Sequence, residues 1–211
     1  MKITTFEAGY IGTNAFLLTD SDRGEAVLID APHEVELGVR RVLEEEGCNL
    51  TTLILTHGHW DHTGDAARIK AMGAKVLAHQ ADRALIETPS IMGAFLPPGI
   101  EVDPVVIDQM IGEGDKIDLL GQSVEIRHVP GHCPGNILLY FADEGAAFVG
   151  DALFAGSIGR TDLPGGSFEQ LANSIRTRIY TLPEETRVLP GHGPETTVAR
   201  EAHSNPFVPA K

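Results

Sequence analysis

Residues 57 to 62 read His-Gly-His-Trp-Asp-His, which puts four side chains with metal-donor lone pairs, His57, His59, Asp61 and His62, within six positions. Imidazole and carboxylate are the donors that zinc and its first-row neighbours take from proteins near neutral pH. A polar loop whose histidines cap backbone groups accounts for one histidine there, and not for three alternating with glycine and aspartate. In an extended His-x-His the rings of His57 and His59 project to one side and suit a single ion. Asp61 and His62, past the turn into a helix, reach toward a second. Each ion takes about four to five ligands, so a complete dinuclear centre needs donors carried in from distant parts of the chain.

Three further positions qualify: His132 in Val129-Pro-Gly-His-Cys-Pro-Gly135, Asp151 in Phe148-Val-Gly-Asp151, and His192 in Leu189-Pro-Gly-His-Gly-Pro194. Each stands at the end of a predicted strand and beside glycine. Loops at strand ends are where sites accumulate, and glycine lets a tight loop aim a side chain at an ion. The first cluster has the same setting. Leu53–Thr56 reads as a short buried strand running into it, and an alanine-rich helix is predicted from about Asp65 to Met72.

Apolar segments at Lys2–Phe6, Ala15–Thr19 and Ala26–Asp30, separated by turn-rich stretches such as Asp20–Gly24, predict an opening β-meander. Val35, Val39, Val42 and Leu43 recur at helical spacing within Glu34–Glu46, with Pro32 before and Gly47 in the C-cap position. Lys75–Ala78 reads as a strand and Ala81–Glu87 as a short helix. Pro89–Pro104, with four prolines and two glycines, reads as an irregular stretch suited to a mobile flap. Strands return at Lys116–Leu119, Val124–Val129, Ile137–Phe141 and Ala146–Val149, followed by a helix near Phe168–Tyr180 and a strand at Arg187–Leu189. Strands with helices at intervals in both halves predict two sheets packed face to face with helices outside. At 211 residues, with no internal repeat or linker, one domain over 1–211 is expected.

Composition narrows the partners. Apolar residues at 42% and charged ones at 22% fit a packed globular core. Thirty acidic against sixteen basic residues give a charge of −14, the wrong sign for a polyanion, and no basic run exceeds Arg40-Arg41, so nucleic acid is not expected as a partner. There is no apolar run long enough for a membrane span and no signal-peptide core in a start that carries Glu7; no membrane association and a cytoplasmic location are the expectations. Cys48 and Cys133 are too few for a disulfide framework or a thiolate metal site, and Cys133 reads as a small apolar loop residue. Trp60 reads as a packed aromatic wall. His33 and His203, placed near helix starts, and His79 and His128, on or near strands, read as ordinary polar residues. A monomer or small homo-oligomer is expected.

The order His-x-His-x-Asp-His, Gly-His, Gly-Asp, Gly-His resembles the metallo-β-lactamase superfamily over nearly the whole chain. Within it, Gly150-Asp-Ala-Leu-Phe154, Gly156-Ser-Ile-Gly-Arg-Thr-Asp-Leu-Pro-Gly-Gly166, Leu189-Pro-Gly-His-Gly-Pro194 and Asn205-Pro-Phe207 are similar to glyoxalase II (hydroxyacylglutathione hydrolase) and its small single-domain relatives. The resemblance implies an α/β fold, an αββα four-layer sandwich, with the site along one edge of the two sheets. It implies His57, His59 and His132 on metal one, Asp61, His62 and His192 on metal two, and Asp151 bridging them. Zinc is the first expectation, and sites of this composition also accept iron or manganese. Arg160 matches the family's basic residue that contacts the glutathione carboxylate, whereas the family's tyrosine two positions later is Asp162 here. Only 19 residues follow His192, against the helical domain that closes glyoxalase II proper.

The implied reaction is hydrolysis of a small-molecule thioester such as S-lactoylglutathione. Two ions about 3.5–4 Å apart acidify a shared water from a pKa of ~15.7 toward ~7, so no Ser or Cys nucleophile is needed. A thiolate of pKa ~8.5 leaves with little help from an acid. Asp61 is the expected catalytic residue, orienting the nucleophile as well as binding metal two, and Arg160 the expected substrate contact. The main rival is a persulfide dioxygenase of the same fold, with one iron on His57, His132 and Asp151. Lactonase activity is a further alternative, and β-lactamase activity a weaker one. A non-enzymatic module would be expected to show broken ligands, and none is broken.

Overall fold

The computed structural model describes residues 1–210. The chain forms two compact units, the first Met1–Met110 and the second beginning at Ile111.

In the first unit, β1 (Lys2–Ala8), β2 (Thr13–Asp20) and β3 (Glu25–Ile29) form the predicted antiparallel meander. Its turns use Gly9, Gly12 and Gly24 at φ near +70°, where a side chain would be strained. Helix α1 (Glu36–Glu46) then crosses over so that β4 (Asn49–Ile54) lies parallel to β3. It starts two residues later than its periodicity predicts, because Glu34 sits at φ 69°, and it ends as expected at Gly47, φ 65°. The chain continues through α2 (Trp60–Thr63), α3 (Ala66–Ala71), β5 (Lys75–Ala78), α4 (Arg83–Glu87) and β6 (Gln109–Met110), giving a six-stranded sheet in the order β1-β2-β3-β4-β5-β6. Leu17, Leu28, Val39, Leu53, Ile69 and Val76 are inaccessible in its core, each contributing about 1.5–3 kcal/mol by burial.

The second unit repeats the plan of a meander followed by a parallel crossover. Strands β7 (Lys116–Leu119), β8 (Gln122–His128), β9 (Ile137–Phe141) and β10 (Ala146–Gly150) run antiparallel. A small hairpin, β11 (Leu153–Phe154) and β12 (Ser157–Ile158), and helix α5 (Phe168–Ser174) lead to β13 (Arg187–Pro190), parallel to β10. Strand β14 (Thr196–Thr197) and helix α6 (Val198–Ser204) follow, and the sheet order is β14-β13-β10-β9-β8-β7. The expected mixed α/β class with two large sheets is therefore present.

Three local expectations need correction. The helix read over Phe168–Tyr180 is α only to Ser174 and widens to a π-helical turn over Ile175–Ile179. Pro89–Phe95, read as irregular, winds into a 3-10 helix anchored by buried Pro89 and Met92. His203 lies in the last turn of α6, not near a helix start. Helix α6 itself escapes the pattern because only Val198 and Glu201 face inward. Buried Glu201 accepts hydrogen bonds from Gly156 N (2.9 Å), Thr196 Oγ1 (2.6 Å) and Asn205 Nδ2 (2.9 Å), and Asn205 Nδ2 also donates to Ser157 O at 3.0 Å. No helix among the described residues is long and apolar enough to cross a membrane.

Candidate metal centre

Every proposed donor follows the C-terminal end of a strand. In the first unit β3 and β4 are parallel neighbours, and their ends present Asp30 and the His57–His62 run side by side. Such edges of parallel strands are where α/β folds collect ligands. Asp30, at φ 60° and fully buried, was not visible as a site residue from sequence, yet it organises the cluster. Its Oδ1 accepts from Thr56 N at 2.7 Å, and its Oδ2 accepts from Thr56 Oγ1 at 2.7 Å and His62 Nδ1 at 2.8 Å. Because the Thr56 hydroxyl proton goes to Asp30, its oxygen accepts from His57 Nδ1 at 3.1 Å. The hydrogen-bond network thus assigns the Nδ1–H tautomer to both rings and leaves the lone pair on Nε2, the form in which a histidine ligates a metal.

The other donors of this unit lie alongside. The His57 ring centroid is 4.8 Å from that of His59 and 4.1 Å from that of His62. Asp61 Oδ2 stands 3.3 Å from His62 Nε2 and accepts from Thr13 Oγ1 at 2.9 Å. All four donors are buried. Gly58 is needed between the histidines: its N–H donates to buried Asp82 at 2.8 Å, and a Cβ there would fall 2.7 Å from Leu85 Cβ. Replacing Gly58 by alanine is expected to push the loop off α4 and lower stability by roughly 1–3 kcal/mol, measured by denaturant unfolding; an unchanged midpoint would show that the loop has slack. Trp60 packs with Tyr10 and His33, ring centroids 6.5 and 6.1 Å away, which fits an aromatic wall.

In the second unit β10 and β13 are the parallel neighbours, and their ends carry Asp151 and His192. Asp151 Oδ2 lies 3.6 Å from His132 Nε2 and 3.5 Å from His192 Nε2, so one carboxylate oxygen faces two imidazole nitrogens. His132 Nδ1 donates to the Arg160 carbonyl at 2.8 Å, leaving the lone pair on Nε2 toward Asp151. Anionic oxygen opposed to a nitrogen lone pair is stabilised by a cation placed between them, so the donor chemistry fits a metal. Asn136, also missed in the sequence, braces the cluster: Asp151 N donates to its Oδ1 at 3.3 Å and its Nδ2 donates to Val149 O at 3.1 Å. The ring of Phe154 meets His192 edge-on at 5.9 Å. Cys133 is buried, as expected of a small apolar residue, and neither cysteine forms a disulfide.

The Arg160 side chain is engaged within its own loop. Its Nε and Nη2 donate to the two carboxylate oxygens of Asp162, each at 2.7 Å. The hydrogen bonds from Arg160 bring the Asp162 carboxyl down to about 2, and Asp162 in turn raises the guanidinium above its ordinary value. The contribution of this pair is present above the ordinary carboxylate pKa and is lost only as pH falls toward 2, so it stays formed throughout the neutral range.

Buried imidazole and carboxylate clusters of this kind, on a mixed α/β fold, are those of a metal-dependent hydrolase. The chain belongs to the metallo-β-lactamase superfamily, whose family model matches residues 8–192. Among curated proteins it is 39% identical to hydroxyacylglutathione hydrolase GloC of Haemophilus influenzae, over 94% of this chain and 93% of that one. Among solved structures it is similar to the BLEG-1 B3 metallo-β-lactamase (35% identity, 98% and 99% of the two chains, TM-score 0.86). A second is TTHA1623 in a di-iron-bound form (35% identity, 97% and 100% of the chains, TM-score 0.84).

Proposed function

We propose that this protein is a glyoxalase II-like thioesterase that hydrolyses S-lactoylglutathione or a similar small thioester at a pair of divalent ions. His57, His59 and His132 would hold one ion, Asp61, His62 and His192 the other, and Asp151 would bridge. The observation that carries this reading is the single Asp151 oxygen facing both His132 and His192, an arrangement suited to a carboxylate shared between two ions. The likeness to GloC supports thioester chemistry, and the di-iron relative supports two ions.

Bound divalent ions would supply an acidified water and an electrophile for the substrate carbonyl. The residues of the chain supply position. Asp61, steadied by Thr13, is set to orient the nucleophile; Asp30 and the Arg160 carbonyl hold His62 and His132 in the ligating tautomer. A departing thiolate needs little proton donation. On this reading residues 1–211 work as one catalytic domain on a small molecule, in the cytoplasm and without nucleic acid or membrane. Zinc is the ion of first choice, with iron or manganese as substitutes.

The test is metal quantification on the purified protein together with a panel of S-lactoylglutathione, non-glutathione thioesters and a chromogenic β-lactam. Two ions per chain and thioester cleavage are expected, with activity abolished by chelation and by His59→Ala. One iron with oxygen uptake would replace this reading with the dioxygenase. β-Lactam turnover without thioester turnover would replace it with a lactamase like the BLEG-1 relative.

A further inference from the structure

Two of the four donors in the first unit, His57 and His59, are joined by one residue, so the tilt of the Gly58 peptide sets the direction of both rings. The anchor of that peptide lies 24 residues further along the chain. Gly58 N donates to Asp82 Oδ2 at 2.8 Å. A Cβ on Gly58 would lie 3.2 Å from Asp82 Cβ, 3.3 Å from the Asp82 carbonyl oxygen and 2.7 Å from Leu85 Cβ. The loop therefore rests directly on the turn that leads into α4, and the Asp82 carboxylate fixes its angle.

The support beneath the loop is itself well fastened. Strands β4 and β5 are parallel neighbours, so the segment leaving β5 emerges at the same sheet edge as the His57–His59 run. His79 Nδ1 accepts from Ala81 N at 3.2 Å and caps the 3-10 turn over Gln80–Asp82. Ile86 is buried in the core, and its carbonyl accepts from Val105 N at 3.2 Å. Asp82 has no accessible surface, so its carboxylate is turned wholly to the protein. Withdrawing a carboxylate from water is costly unless a donor meets it, and the donor met here is the peptide between two ligands.

We propose that Asp82 is a positioning residue of the metal centre: through the Gly58 N–H it holds His57-Gly58-His59 at the angle in which both imidazoles face one ion. This role rests on the ion that His57 and His59 share in the reading above, and it holds for any substrate. Outer partners of metal ligands ordinarily grip a ligand's ring, as Asp30 does with His62. Asp82 grips the backbone that carries two of them.

Cobalt(II) is the probe, because its visible absorption reports ligand number and angle. Asp82→Ala takes the acceptor away, whereas Asp82→Asn keeps an oxygen able to take the Gly58 proton. Asp82→Leu, which fills the space without an acceptor, replaces the alanine variant should a cavity prevent folding. In titrations against a competing chelator, the variants without an acceptor should bind cobalt roughly 10–100-fold more weakly than wild type, with a shifted visible band. The asparagine variant should keep the wild-type band and recover most of the affinity. Hydrogen exchange on metal-free protein reads the bond itself: the Gly58 amide should be protected in wild type and in Asp82→Asn and exchange fast without the acceptor. A purely structural role would lower the unfolding midpoint yet leave the band and the affinity of the folded variant at wild-type values, which would overturn the proposal. So would an asparagine variant as impaired as alanine, or wild-type protein that takes up no cobalt. Failure to cleave any thioester would remove the thioesterase reading and leave this role standing, since no substrate enters the titration.

Discussion

Asp151→Asn protein is expected to keep its far-ultraviolet circular dichroism, to retain less than the wild-type complement of metal and, on the proposed thioesterase reading, to turn over its substrate roughly a thousandfold more slowly or worse. The substitution preserves volume and shape, so the packing between β10 and β13 has no reason to change. What it removes is the negative charge on the oxygen lying 3.6 and 3.5 Å from the His132 and His192 nitrogens. A neutral amide is a weak donor to a hard cation, and its NH2 group repels one. Metal stoichiometry by mass spectrometry and steady-state turnover report the two losses separately. Full metal content with activity within tenfold of wild type would mean that Asp151 belongs to neither ion.

The second large effect lies one layer behind the donors, at Asp30. Removing its carboxylate leaves Thr56 N–H, Thr56 Oγ1 and His62 Nδ1 buried without their acceptor. Such groups cost about 1–3 kcal/mol apiece when unmet, and they share one site, so Asp30→Ala is expected to lose about 3–5 kcal/mol of stability. Alanine is also less comfortable than aspartate at φ 60°. Asp30→Asn separates the contributions, since asparagine tolerates that backbone and keeps the volume. It should unfold closer to wild type, yet metal affinity should still fall about 10–100-fold, because its amide can no longer hold His62 by charge in the ligating tautomer. Denaturant unfolding and competition against a chelator measure the two effects. Wild-type metal affinity in Asp30→Asn would remove the orienting role from this residue.

These two residues also show what sequence reading can reach. Asp151 was legible because a carboxylate after a strand and a glycine, in company with three histidine motifs, has few structural uses. Asp30 stands at the end of β3 in the same way, but it lies between a buried strand and Pro32 with no glycine or histidine beside it. Its partners, Thr56 and His62, are 26 and 32 residues away, and local pattern carries no trace of that pairing. Asn136 and Asp82 were hidden for the same reason. The meander strands and α1 were legible because burial on one face imposes a period that survives in the sequence. The two-residue strands β6, β11, β12 and β14 are too short to show any period, and α6 turns a buried glutamate inward where an apolar residue would have marked it. The identity of Arg160 as a cation was legible; that Asp162 would grip it was not.

The buried Glu201 gives the last stretch of chain an influence that its distance in sequence hides. Through it the β11–β12 hairpin, strand β14 and the turn at Asn205 are tied to one knot, and the hairpin carries Phe154, whose edge rests on the His192 ring. The tail thus works as a tension line: clipping or loosening it near Asn205 would slacken a hairpin far upstream in the sequence and, with it, the seating of the His192 imidazole.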